Sequence, residues 1–95
     1  MGPTCEVILE SAEPAVLDAA DAFLASAAER VERTRRGKTW NIWVDGRPFR
    51  VEASTSLPAI VLSAGCYGAH DYEVLRRLSV GLAVACGGMA SEPVK

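Results

Sequence analysis

The sequence predicts an α+β fold. It is read as a two-layer sandwich in the order β-α-β-β-β-α, with room for a short terminal strand. Two helices would lie on one face of a four-stranded, mostly antiparallel sheet. Three observations predict it. Two β-rich runs flank Asp45-Gly46 in "TWNIWVDGRPFRVEA". Two longer segments, one near each end, repeat apolar residues at helical spacing. The chain has 95 residues, 49% of them apolar, which suits one domain (1–95) with one core.

"CEVILE" alternates, so Cys5–Glu10 reads as a strand with Cys5, Val7 and Leu9 on one face. Ser11 can cap the next helix, with Glu13 and Pro14 in its first turn. Leu17, Ala20, Leu24, Ala27, Ala28 and Val31 make one stripe and carry the helix to about Arg35. Asp18 and Asp21 would then sit near the positive end of the helix dipole. Arg33, Arg35 and Arg36 would sit near the negative end, with Gly37 as the stop.

In the hairpin, Asp45-Gly46 is a turn pair able to take positive φ. Trp40, Ile42 and Val44 share one face with Phe49, Val51 and Ala53 of the return strand. Asn41 and Trp43 share the other with Arg50 and Glu52. Pro48 lacks an N–H and points to an edge or a bulge. "STSLP" is a loop, and "AIVLSA", apolar on both faces, reads as a central strand. Asp71 is the expected N-cap of the last helix, with Glu73 in its first turn. Val74, Leu75, Leu78, Leu82 and Cys86 form its buried stripe, Gly87-Gly88 stops it, and Met89–Val94 forms a short strand or a tail.

Composition excludes several function classes. Net charge is −2, which disfavours a nucleic-acid binder that relies on global basicity. The charge is segregated. Residues 1–28 hold five acids and no base, residues 29–38 hold five bases and two acids, and the rest balance. The basic stretch "ERVERTRRGK" is read as a solvated helix end rather than a phosphate-contacting patch. Cys5, Cys66 and Cys86 are widely spaced, no C-x-x-C occurs, and there is one histidine. No metal site is expected from them, and unpaired thiols suit a reducing, cytoplasmic setting. Met1–Cys5 does not look like the start of a signal peptide. The uncharged apolar stretch Leu78–Ser91 is well short of the ~20 residues that span a bilayer, so no membrane role is expected. No nucleotide or cofactor motif is present.

Two candidate sites remain. The first is Cys66-Tyr67-Gly68-Ala69-His70-Asp71. A thiol near a helix N-terminus has a lowered pKa, and His70 could serve it as base, which would make a thiol-dependent enzyme. Against this, Gly65 and Gly68 look like turn residues, Asp71 is used as a cap, and no oxyanion hole is evident. The second is the sheet face away from the helices, with Asn41, Trp43, Arg50 and Glu52, and with Tyr67 and His70 at its rim. Trp and Arg are favoured interface anchors. Such a face would take a protein partner or a second copy of the chain as a homodimer. The plainer reading is that Trp43 packs along the stem of Arg50.

The block "GCYGAHDYEVLRRLSVGLAVACGG", with the start "GPTCEVIL", resembles small stand-alone bacterial immunity proteins of polymorphic toxin systems. Asp71, Leu75, Leu78, Leu82 and Gly87-Gly88 carry the resemblance, which covers about a third of the chain. It implies a non-catalytic protein that occludes a cognate toxin. It transfers no catalytic residue and no cofactor.

Overall fold

The computed structural model describes residues 4–9, 13–34, 38–54, 58–64 and 68–91. Ser11, Arg35, Arg36, Gly37, Gly65, Cys66 and Tyr67, all assigned roles above, lie outside the described residues. The elements in chain order are β1 (Thr4–Ile8), α1 (Pro14–Ala27), β2 (Arg30–Arg33), β3 (Thr39–Val44), β4 (Arg47–Ala53), β5 (Ala59–Ala64), α2 (Ala69–Cys86) and β6 (Met89–Ala90). They form one sheet in the order β2-β3-β4-β5-β1-β6. Every pairing is antiparallel. The α+β class and the two helices agree with the sequence. The sheet has six strands rather than four, because residues 30–33 and 89–90 add one strand at each edge.

The core follows from period-2 alternation in the strands. Cys5, Val7, Trp40, Ile42, Val44, Phe49, Val51, Ala53, Ile60, Leu62 and Ala64 are buried. They form one cluster with Ala20 and Leu24 of α1 and with Val74, Leu75, Leu78 and Leu82 of α2. Trp40 is fully buried, and its indole N–H donates to Asp21 Oδ1 at 2.9 Å. β5 lies between β4 and β1, as its two apolar faces predict. The helices approach closely because position 81 carries no side chain. A Cβ there would lie 2.2 Å from the Phe23 ring.

Asp45 and Gly46 adopt φ of 53° and 75°, the pair of left-handed residues that a two-residue type I′ turn requires. Pro48 stands opposite Trp43 in the β3–β4 ladder. Bonded and non-bonded pairs alternate in an antiparallel ladder. The bond from Ala53 N–H to Lys38 C=O sets the phase, which makes Trp43–Pro48 a non-bonded pair. The first β4 residue paired with β5 is Phe49. β4 is therefore an inner strand, and Pro48 is tolerated because it sits just past the end of the neighbouring ladder.

Two local expectations are corrected. The first helix starts at Pro14, with Glu13 as a cap residue that makes no side-chain capping bond, and it ends at Ala27 rather than near Arg35. Ala28 is already extended, and its N–H closes the helix on Leu24 C=O. Residues 30–33 pair instead with β3, where Thr34 N–H bonds Thr39 C=O and Glu29 N–H bonds Trp43 C=O. A sheet edge offers this segment as many backbone bonds as another helical turn would. It also half-buries Val31 against the core. No basic residue occupies the last turn of α1. Arg33 reaches across from β2 to Asp18 and Asp21, at 3.6 and 3.9 Å, and covers the Trp40 ring at 5.3 Å.

The second correction concerns Asp71, which is not the N-cap of α2. Gly68 is the cap, and Asp71 stands three residues later. Its carboxylate accepts from Gly68 N–H at 3.3 Å, the return half of a capping box. It is 1% exposed and is held by Arg47, with Nε to Oδ1 at 2.8 Å and a second guanidinium bond to Oδ2 at 3.1 Å. At the other end, Gly87 takes φ 71° and closes the helix on Ala83. The chain then turns into β6 against β1.

Candidate protein-binding face

Both helices pack on one side of the sheet, so the residues between the core positions form an open face. Strand register sets it out in rows. Arg30, Trp43 and Pro48 make one row; Glu32, Asn41, Arg50, Ser63 and Thr4 make the next. Thr39, Glu52, Val61 and Glu6 make a third. At the far edge Ile8 stands beside Met89, exposed at 51% and 77%. Basic and acidic residues alternate along β2 and β4: Arg30 with Glu32, and Arg50 with Glu52. Both pairs make ion contacts, the second at 3.8 Å.

Trp43 is the half-buried aromatic of this face. The guanidinium of Arg30 lies 4.8 Å from its ring centroid. The plainer expectation placed Arg50 along this ring; the stacking cation comes from β2 instead. The contact holds the indole in one orientation and leaves part of its surface to solvent. Next to it, Glu32, Asn41, Trp43, Pro48, Arg50 and Ser63 line a shallow depression of 490 Å³. It has an apolar wall, one cation, one carboxylate, an amide and a hydroxyl.

Four of the six expected binding residues, Asn41, Trp43, Arg50 and Glu52, therefore lie together on the open face. Tyr67 lies outside the described residues. His70 sits in the first turn of α2, on the helix layer, where its Nε2 lies 3.0 Å from Asp45 Oδ2 of the hairpin turn. The structure thus places His70 at the hairpin corner rather than among the Trp43 group. Sequence reasoning missed Arg30 and Glu32, because it placed them on a helix. The period-2 alternation of "ERVER" was the available signal.

The thiol reading finds no described partner. Cys66 is outside the described residues, and His70 is engaged by Asp45. Cys5 is buried, with its Sγ 3.8 Å from Leu75 C=O. Cys86 is half-buried, with its Sγ 3.7 Å from Val16 C=O. Burial pushes the Cys86 thiol pKa up, since a thiolate there would lose solvation. The sign follows directly: at mildly alkaline pH a smaller fraction of Cys86 is thiolate than of a free thiol. Cys86 is therefore expected to react with a neutral alkylating reagent more slowly than free cysteine. Mass-spectrometric time courses of labelling measure this, and equal or faster labelling would contradict it.

Among the described residues no three His, Cys, Asp or Glu side chains converge to hold a metal ion, and no helix is long and apolar enough to cross a membrane. The residues that carry the immunity-protein resemblance lie on α2 and its glycine stop, where Asp71 pairs with Arg47 and the leucines fill the core. No family model matches the chain, and no curated protein or solved structure is significantly similar to it.

Proposed function

We propose that the chain is a small, non-catalytic protein-binding domain of bacterial cytoplasm, an immunity protein that occludes a cognate toxin with the open face of its sheet. The observation that carries this reading is Trp43. It stands half-exposed on an uncovered face, held by Arg30, beside a depression lined by Glu32, Asn41 and Arg50. Aromatic and arginine side chains in such settings supply most of the binding energy of protein interfaces. The alternating charges of β2 and β4 give the face a pattern that a complementary partner can match, and they penalise a mismatched one. Glu6, Glu32 and Glu52 on the face, with Glu13, Asp18 and Asp21 in the first third of the chain, would speed encounter with a basic toxin surface.

The test is direct. The product of the neighbouring gene is expressed with and without this chain. Rescue of growth, with co-purification of the two proteins, is the expected result. Neither rescue nor co-purification is the result that ends the proposal.

A further inference from the structure

We infer that the free edge of β2 joins two copies of this chain through an antiparallel β2–β2 pairing centred on Val31. The inference concerns the sheet edge and stands apart from toxin binding by the open face. β2 is an outermost strand, paired with β3 alone among the described strands. In its ladder with β3, the bond from Thr34 N–H to Thr39 C=O sets the phase. Residues 30, 32 and 34 then turn their backbone groups toward β3, and Val31 turns its N–H and C=O outward. An edge strand with outward backbone groups is a template for another strand.

What selects the partner is the order of charges in Glu29-Arg30-Val31-Glu32-Arg33. It is antisymmetric about Val31: each residue on one side has its opposite charge at the same distance on the other. A two-fold axis through Val31 therefore places Arg30 opposite Glu32 of the second copy and Glu32 opposite its Arg30, while Glu29 and Arg33 keep partners within their own copy, Gly46 N–H for the first and the Asp18 and Asp21 carboxylates for the second. Val31 meets Val31 at the axis, and the two exchange N–H to C=O bonds. Moving the axis one residue sets Arg30 against Arg30 or Glu32 against Glu32, and like charges directly opposite destabilise a pair. One register is thus favoured over its neighbours, and it is also the one in which Val31 backbone groups meet.

Arg30 and Glu32 already form an ion pair along the strand, and their side chains are 67% and 49% exposed. The dimer adds two Arg30–Glu32 pairs across the seam, giving with the two intrachain pairs a square of alternating charge on the open face. Charged side chains on an edge strand commonly discourage indiscriminate pairing with other chains. Here the charges match their own copies. The interface is isologous, as a closed dimer requires. It continues one sheet through both copies, with helices on the same side and a Trp43 on each flank of the seam.

Sedimentation of the full chain from micromolar to near-millimolar concentration tests the inference, with circular dichroism confirming the fold of each variant. The wild type is expected to form dimers. Arg30→Glu sets Glu against Glu32, and Glu32→Arg sets Arg against Arg30. Each alone is expected to raise the dimer dissociation constant about ten-fold or more. An equimolar mixture of the two restores opposite charges at both positions and is expected to form a heterodimer. Val31→Pro removes the outward N–H without touching the β3 ladder and is expected to yield a monomer. The inference is overturned by a wild type that stays monomeric throughout. It is equally overturned by single variants that dimerise as the wild type does, by a mixture that remains monomeric, or by a folded Val31→Pro chain that still dimerises.

Discussion

Trp40→Ala is expected to cost about 3–5 kcal/mol of folding stability, the range for removing a large aromatic from a packed core. Trp40 is fully buried between the sheet and α1. The substitution opens a cavity at the centre of β3 and strands Asp21 Oδ1 without its indole donor. It also removes the ring beneath Arg33, the contact that helps hold β2 against the sheet. A domain of this size is stable by about 5–15 kcal/mol, so the change consumes a large share of the total. Urea denaturation followed by circular dichroism should show a midpoint lowered by more than about 1 M, given slopes of about 1–3 kcal/mol per M. A midpoint within error of the wild type would contradict the placement of Trp40 in the core.

Arg47→Ala is expected to cost about 3 kcal/mol, at the lower end of the range for breaking a buried ion pair from one side. The asymmetry of the pair decides which partner matters more. The Asp71 side chain is 2% exposed, whereas that of Arg47 is 43% exposed. Removing the arginine leaves a buried carboxylate with Gly68 N–H as its remaining described donor. Removing the carboxylate with Asp71→Ala leaves a guanidinium that water can reach, so it should cost less. Thermal or urea unfolding of the two variants compares them. Arg47→Ala less damaging than Asp71→Ala would contradict the account. The pair ties the β3–β4 hairpin to the start of α2, so its loss should loosen those two elements together.

The hairpin was legible because its signals are local. Alternation at Trp40, Ile42 and Val44, then at Phe49, Val51 and Ala53, meets the positive-φ pair Asp45-Gly46, and nothing distant competes. The α2 leucines were legible for the same reason. The edge strand β2 was not. Ala27, Ala28 and Val31 fit a helical stripe as well as Val31 alone fits a strand of four residues. The decision fell to the open edge of β3, which no local pattern reports. Asp71 was read as a cap because an acid near a helix start usually is one. Its actual partner, Arg47, lies 24 positions earlier in the chain, and that contact exists only once β4 and α2 are in place. Strand order is likewise a property of pairing across distance. For the candidate site, strand alternation was enough to put Asn41, Trp43, Arg50 and Glu52 on one face. The cation that fixes Trp43 came from the segment whose structure was misread.

The central proposal is that the open face binds a cognate toxin through Trp43. Calorimetric titration of the purified neighbouring gene product into the wild type, Trp43→Ala and Val84→Ser tests it most directly. Val84 is 81% exposed on the outer side of α2, away from the face, and serves as the control. The account predicts tight binding by the wild type and by Val84→Ser. Trp43→Ala should bind about 30-fold more weakly or worse, the loss of a hot-spot residue worth about 2 kcal/mol or more. Its unfolding midpoint should stay near that of the wild type. No binding by the wild type, or equal affinity for Trp43→Ala, would contradict it.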